Sequence, residues 1–249
     1  MSASTSPASM ESIVAAGRQE HATLAAELLA RAIKGAVDDR GVARVALSGG
    51  TTPSDTYRAL AALALPWAQV EWYQVDERAG DPASPRSNQA AAVRDLGLDL
   101  DLDLAGAHGK LFRMESEAVD LDAAARAYEA LLRRTFGIAS AVSFDAVTLG
   151  IGDDGHTASL FPGLSVVGID DRLVAVVPEQ PVKKLEARLT LTAPVILEAR
   201  LVVMIVRGEN KRAPVAAARQ PGSEEEIPAR LLHRAKGRVV WILDKDAAG

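Results

Sequence analysis

The segment Gly150-Ile-Gly-Asp-Asp-Gly-His-Thr-Ala-Ser-Leu-Phe-Pro-Gly163 brings one histidine, two carboxylates and three glycines together within its first seven residues. An unperturbed imidazole titrates at about 6.5, so near neutrality His156 can take a proton from water and hand it on. A neighbouring carboxylate, Asp154 or Asp153, can orient the ring and stabilise its charged form. A histidine on a glycine-rich turn differs from a core histidine, which would sit inside an apolar periodic run. The chain has no cysteine, and no serine stands in a G-x-S-x-G elbow, so a covalent acyl route has no evident nucleophile. Water activated by His156 is the simpler chemistry.

Other segments supply anion-binding groups. Ser48-Gly-Gly-Thr-Thr-Pro53 has the makings of a phosphate cradle: Gly49 and Gly50 let the backbone approach an anion, Ser48, Thr51 and Thr52 add hydroxyl donors, and a following helix offers its N-terminal amides. It matches neither the dinucleotide pattern G-x-G-x-x-G nor a Walker loop. Asp76-Glu77-Arg78 sets a guanidinium, suited to bidentate contact with phosphate oxygens, beside two carboxylates, and Asp76 either acts chemically or holds Arg78. Lys211, in Val206-Arg-Gly-Glu-Asn-Lys211, is a second candidate phosphate cation. Arg188 opens an apolar stretch and can cap the edge of a site, while Lys183 and Lys184 lie in a loop flanked by Pro178 and Pro181.

These segments must be positioned by the elements around them. Residues 1–10 read as a small, polar, disordered tail, followed by one domain over 11–249. Helical spacing runs over 12–37 and stops at Gly41. Strands are expected at 42–47, 70–75, 144–149, 173–177, 188–191, 201–206 and 239–243, and helices to about 63, up to 96, over 120–136, 192–198 and 211–218. Pro53 falls in the first turn of the helix that follows the glycine loop. Residues 97–112 read as a connection. There Asp99, Asp101 and Asp103 imitate calcium-loop ligands, but Leu104 and Lys110 occupy the positions that need glycine and glutamate. Strands alternating with helices imply a mainly parallel sheet covered on both faces. In such a sheet ligands bind beyond the carboxyl ends of the strands, where 48–53, 76–78 and 150–156 should converge.

The bulk numbers restrict the partners. The 249 residues are 48% hydrophobic and carry a net charge of −5 with both signs interspersed, which argues against a nucleic-acid or membrane-surface binder. Without cysteine there is no disulfide, thiolate or iron–sulfur chemistry, and the four histidines, His21, His108, His156 and His233, show no metal-ligand spacing. No signal peptide and no apolar run of about 20 residues is visible, so a cytoplasmic location is expected.

Taken together, these motifs resemble the 6-phosphogluconolactonase family. The likeness lies in Leu47-Ser-Gly-Gly-Thr-Thr-Pro53, Val75-Asp-Glu-Arg78 with Ser87-Asn88, the 150–163 stretch, Arg188-Leu-Thr-Leu-Thr192 and Gly208-Glu-Asn-Lys211, in matching order over residues 40–245. The resemblance implies a three-layer α/β/α, Rossmann-like fold with no cofactor or catalytic metal, acting on a phosphorylated sugar lactone. It implies that His156 is the general base, that Asp154 shares its catalytic loop, and that residues 49–52, Arg78, Arg188 and Lys211 handle the substrate, chiefly its phosphate. Asp153 stands where family members vary, which favours Asp154, and Arg86 stays unassigned. Two rivals remain. Deaminase-isomerases of the related kind carry a glutamate five residues after the histidine, where this chain has Phe161. A non-catalytic phosphosugar sensor needs an output module, and no helix-turn-helix or basic patch is visible.

Overall fold

The computed structural model describes residues 10–98, 109–137 and 141–249, apart from the side chain of Lys183. The strands are β1 (Met10–Ala15), β2 (Ala43–Leu47), β3 (Val70–Gln74), β4 (Asp76–Arg78), β5 (Lys110–Phe112), β6 (Ala146–Leu149), β7 (Val174–Val177), β8 (Arg188–Leu191), β9 (Leu201–Val206) and β10 (Arg238–Asp244). The α-helices are α1 (Arg18–Arg40), α2 (Thr51–Ala61), α3 (Asn88–Leu96), α4 (Leu121–Phe136), α5 (Ala193–Leu197), α6 (Arg212–Ala218) and α7 (Lys245–Ala248).

Seven strands form one parallel sheet in the order β1-β10-β9-β6-β2-β3-β5. The central strands are apolar throughout because both sheet faces are covered: all of β9, Leu-Val-Val-Met-Ile-Val, is buried. Alternate side chains serve opposite faces. Val45, Trp72, Val203 and Ile242 pack with Leu29 and Ile33 of α1, Tyr57 and Leu60 of α2, and Leu96 of α3. Tyr73, Val147, Met204 and Trp241 pack with Tyr128 and Leu132 of α4, Ile196 of α5 and Val215 of α6. The expected three layers are therefore present. Truncating one of these buried aliphatics to alanine typically costs about 2–5 kcal/mol.

From β2 the chain builds outward through β3 to β5, then returns to lay β6 on the other side of β2. The segment after β2 leads to α2 on one face, whereas the segment after β6 places Leu160 and Phe161 on the other. That divergence opens a crevice at the carboxyl edge, between the two glycine-rich loops.

The structure departs from the sequence reading at several elements. Residues 12–37 are not one helix: Met10 to Ala15 pair in parallel with Val239 to Asp244, and the helix starts only at Arg18. The adjacent β-branched pair Ile13-Val14, followed by Gly17, marks the strand, and helical spacing over the longer window masks it. Met10, assigned to the tail, belongs to this strand; residues 1–9 lie outside the described residues, as do Asp99, Asp101, Asp103 and His108. Lys110 to Phe112, read as connection, adds an edge strand beside β3.

Beside the mainly parallel sheet that was expected, β4, β8 and β7 form a separate antiparallel one. Residues 178–187, which join β7 to β8, are too few for the dozen or so that a parallel crossover requires, so the strands fold back as a hairpin. Asp76, Glu77 and Arg78 thus form a strand of their own, and Arg78 lies directly opposite Arg188.

Candidate active site

Ser48, Gly49, Gly50, Asp76, Arg78, Asn88, Gly150, Ile151, Gly152, His156, Ala158, Arg188 and Lys211 line a cavity of about 290 Å³ at this crevice. Its walls come from the ends of β2, β6 and β9, neighbours in the sheet, and from the paired strands β4 and β8.

His156 sits on the loop leaving β6. Its Nδ1 lies 2.5 Å from Asp154 Oδ1, and its backbone N–H donates to the same oxygen at 3.1 Å. Burial works against the Asp154 charge, but the hydrogen bonds and positive charge of His156 outweigh it and hold the carboxyl at about 2. An ionised carboxylate only accepts, which assigns the ring proton to Nδ1 and leaves the lone pair on Nε2. Phe161 packs against the imidazole, with centroids 4.3 Å apart. Gly152 is required by the close approach: a Cβ there would lie 2.0 Å from His156 Nδ1 and 2.6 Å from Asp154 Oδ1. The loop is further tied by Gly152 N–H to the His156 carbonyl (2.8 Å), Thr157 Oγ1 to the Gly150 carbonyl (2.9 Å) and Ala229 N–H to the Gly155 carbonyl (3.0 Å). Beside them Ala158 takes φ 50°, a left-handed conformation that a residue with a Cβ adopts at a cost.

Across the cavity, Arg78 and Arg188 each keep a buried Nε–H with no protein partner among the described residues. A buried donor left unpaired is costly, so both suit an incoming anion. The Arg188 guanidinium lies 5.2 Å from the centre of the Phe161 ring and 3.8 Å from Asp76 Oδ2. Asp76 faces Arg188 rather than Arg78: Ser159 Oγ donates to its Oδ2 (2.6 Å) and Asn88 Nδ2 to its Oδ1 (3.1 Å). Glu77 turns away from the cations and into the protein. Its carboxylate accepts from Gln74 Nε2, Ser87 Oγ and the backbone N–H groups of Arg78, Asn88 and Gln89, which fixes the start of α3. Arg78 Nη1 donates to the Arg86 carbonyl at 2.5 Å, and Arg86 itself pairs with Glu186 at 2.6 Å.

The Ser48 turn is held from beneath. Its N–H donates to Thr148 Oγ1 (2.9 Å), and the buried Tyr57 hydroxyl donates to its carbonyl (2.7 Å). Gly49 is glycine because Asn88 fills the space beside it: a Cβ would fall 1.7 Å from Asn88 Oδ1. Thr51 and Thr52 open the first turn of α2 but do not line the cavity. Lys211 lines it with its ammonium 2.5 Å from Asp153 Oδ1, which also accepts from Asn210 Nδ2 at 2.8 Å. Lys184 stands outside. Sequence reasoning named most of the wall but gave no role to Asn88 within it, nor to Ser159, Thr148 and Tyr57, which support it from behind. For Asn88 a signal existed in the Ser87-Asn88 pair that opens a helix.

Residues 16–241 match the family described as Glucosamine-6-phosphate isomerases/6-phosphogluconolactonase. A 6-phosphogluconolactonase of Synechocystis sp. is 38% identical over 216 residues, covering 85% of this chain and 86% of its own. One of Nostoc sp. is 35% identical and covers 89% and 90%. Among solved structures, the 6-phosphogluconolactonase of Trypanosoma brucei superposes with a TM-score of 0.83 at 28% identity, covering 97% of this chain and 98% of that one.

Proposed function

The chain belongs to the family of glucosamine-6-phosphate isomerases and 6-phosphogluconolactonases, and from that premise we propose that it hydrolyses 6-phospho-D-glucono-1,5-lactone with His156 as the base that activates water. The observation that carries this reading is the bond between His156 Nδ1 and the ionised Asp154 in a cavity whose wall also holds Arg78, Arg188, Lys211 and two glycine-rich loops.

The substrate phosphate is held by Arg78, Arg188 and Lys211 with the Ser48–Gly50 turn, and this anchorage sets the lactone carbonyl beside His156. Nε2 removes a proton from water as the oxygen bonds to the carbonyl carbon. Asp154 balances the imidazolium that results. The tetrahedral carbon then expels the ring oxygen, which takes the same proton from Nε2, and the acid product loses its own proton to solvent. The amides of Gly152, Gly155 and Ser48 are already bonded within the protein and do not serve the oxyanion. Phe161, stacked on His156, offers no proton-transfer group where an isomerase needs one. No helix of the described residues is long and apolar enough to cross a membrane, and we place the reaction in the cytoplasm, in the oxidative pentose phosphate pathway.

The test compares two substrates at pH 7. The lactone should be opened well above its spontaneous rate while glucosamine 6-phosphate releases no ammonia; the reverse pattern would overturn the assignment.

A further inference from the structure

Lys211, the cation that follows β9, is paired within the protein. Asp153 Oδ1 lies 2.5 Å from its ammonium and is steadied by Asn210 Nδ2 at 2.8 Å. The hydrogen bond from Lys211 holds the Asp153 carboxyl below its ordinary range, which favours its charged form. The two partners are unequally placed: the Asp153 side chain is 68% exposed and Lys211 23%. Asp153 can swing into solvent at little cost, whereas the lysine stays in the cavity wall. Asp153 follows Gly152 directly and precedes the carboxylate that orients His156, so the pair links the histidine loop to the phosphate-binding end.

We infer that Asp153 is a displaceable counterion of Lys211, a specificity-determining residue that weakens retention of phosphate-bearing ligands. The inference rests on the lactonase reading for the identity of the ligand. A dianionic phosphate must replace Asp153 at the ammonium and then tolerate the displaced carboxylate nearby. Exposed ion pairs are weak, so the competition lowers affinity modestly rather than closing the site. The open-chain product carries one more negative charge than the lactone, the carboxylate created by hydrolysis. Asp153 therefore opposes the product more than the substrate, and favours its release.

The test is calorimetric titration of the full chain with inorganic phosphate and, separately, with 6-phosphogluconate. Asp153→Asn should bind both about two- to fivefold more tightly than wild type. Asp153→Ser, which removes the charge with a shorter side chain, should show the same gain and serves if the asparagine variant misfolds. Lys211→Met should weaken binding, and the gain from Asp153→Asn should shrink in that background. Equal or weaker binding by both Asp153 variants overturns the inference, as does an undiminished gain without Lys211, which would mean simple repulsion rather than a counterion. A protein that shows the gain but does not open the lactone sinks only the lactonase reading; lactone opening without the gain sinks only the counterion.

Discussion

Two histidines stand at the carboxyl edge of the parallel sheet, and their surroundings make them different chemical groups. His21, in the first turns of α1, is fully buried, and its Nε2–H is shared between the carbonyls of Val206 and Ile242, each 3.0 Å away. Its Nδ1 has no protein partner among the described residues. Carbonyls accept a hydrogen bond but carry no formal charge to balance an imidazolium. Burial lowers the pKa of His21, with Arg207 adding to the shift and the two carbonyls and Asp244 opposing it. His156 bonds through the other nitrogen to a carboxylate and lines a cavity. One ring is a neutral structural tie; the other, placed to serve as the proposed base, has a counter-charge beside it. Partner and access, rather than residue type, decide between them.

The largest expected difference is catalytic. His156→Ala should lower lactone hydrolysis by about 10²- to 10⁴-fold in an assay corrected for spontaneous opening, because in the proposed mechanism one group supplies both proton transfers. Gly152→Ala keeps the histidine but drives a methyl group into the contact between its Nδ1 and Asp154. A displacement of about 1 Å can cost on the order of 10²-fold, so kcat should fall by that much while phosphate binding persists. Changing the other ring should move stability instead. His21→Ala leaves two buried carbonyls short of a donor and should cost about 1–3 kcal/mol in denaturant unfolding, with the kcat of the folded enzyme unchanged.

The smallest effect is a pH slope. Because the folded-state pKa of His21 lies below its unfolded value of about 6.5, the unfolded chain binds the proton first as pH falls. Its contribution to stability is therefore complete above about pH 6.5 and is lost as pH falls toward the folded value. His21→Gln, which still donates to the carbonyls but does not titrate, should show a shallower loss between pH 7 and 5. An equal slope in both proteins would remove His21 as the cause.

Much of this contrast was legible in the sequence because it is local. Gly152, Asp154 and His156 lie on one turn, so the orienting carboxylate and the glycine that admits it are read from adjacent positions. The parallel sheet was legible for the same reason, its buried strands being short apolar runs that end at the functional loops. Contacts across the chain were not. Ser159 meets Asp76 from 83 residues away, and Lys211 meets Asp153 from 58, pairings that no local pattern encodes. Asp76-Glu77-Arg78 suggested a charge cluster, yet alternation along a strand sends Glu77 into the protein and Asp76 and Arg78 toward the cavity. The strand β1 was hidden because its side chains alternate only weakly, and its place was set by the edge of β10.

In the proposed mechanism His156 presents a basic Nε2 because Asp154 holds the proton on Nδ1. Nitrogen NMR of the two imidazole rings at a pH where both are neutral reads this directly. The spectrum should show His156 protonated at Nδ1 and bare at Nε2, with His21 the reverse. A His156 ring carrying its proton on Nε2 would contradict the account, since such a ring has no lone pair to offer the attacking water.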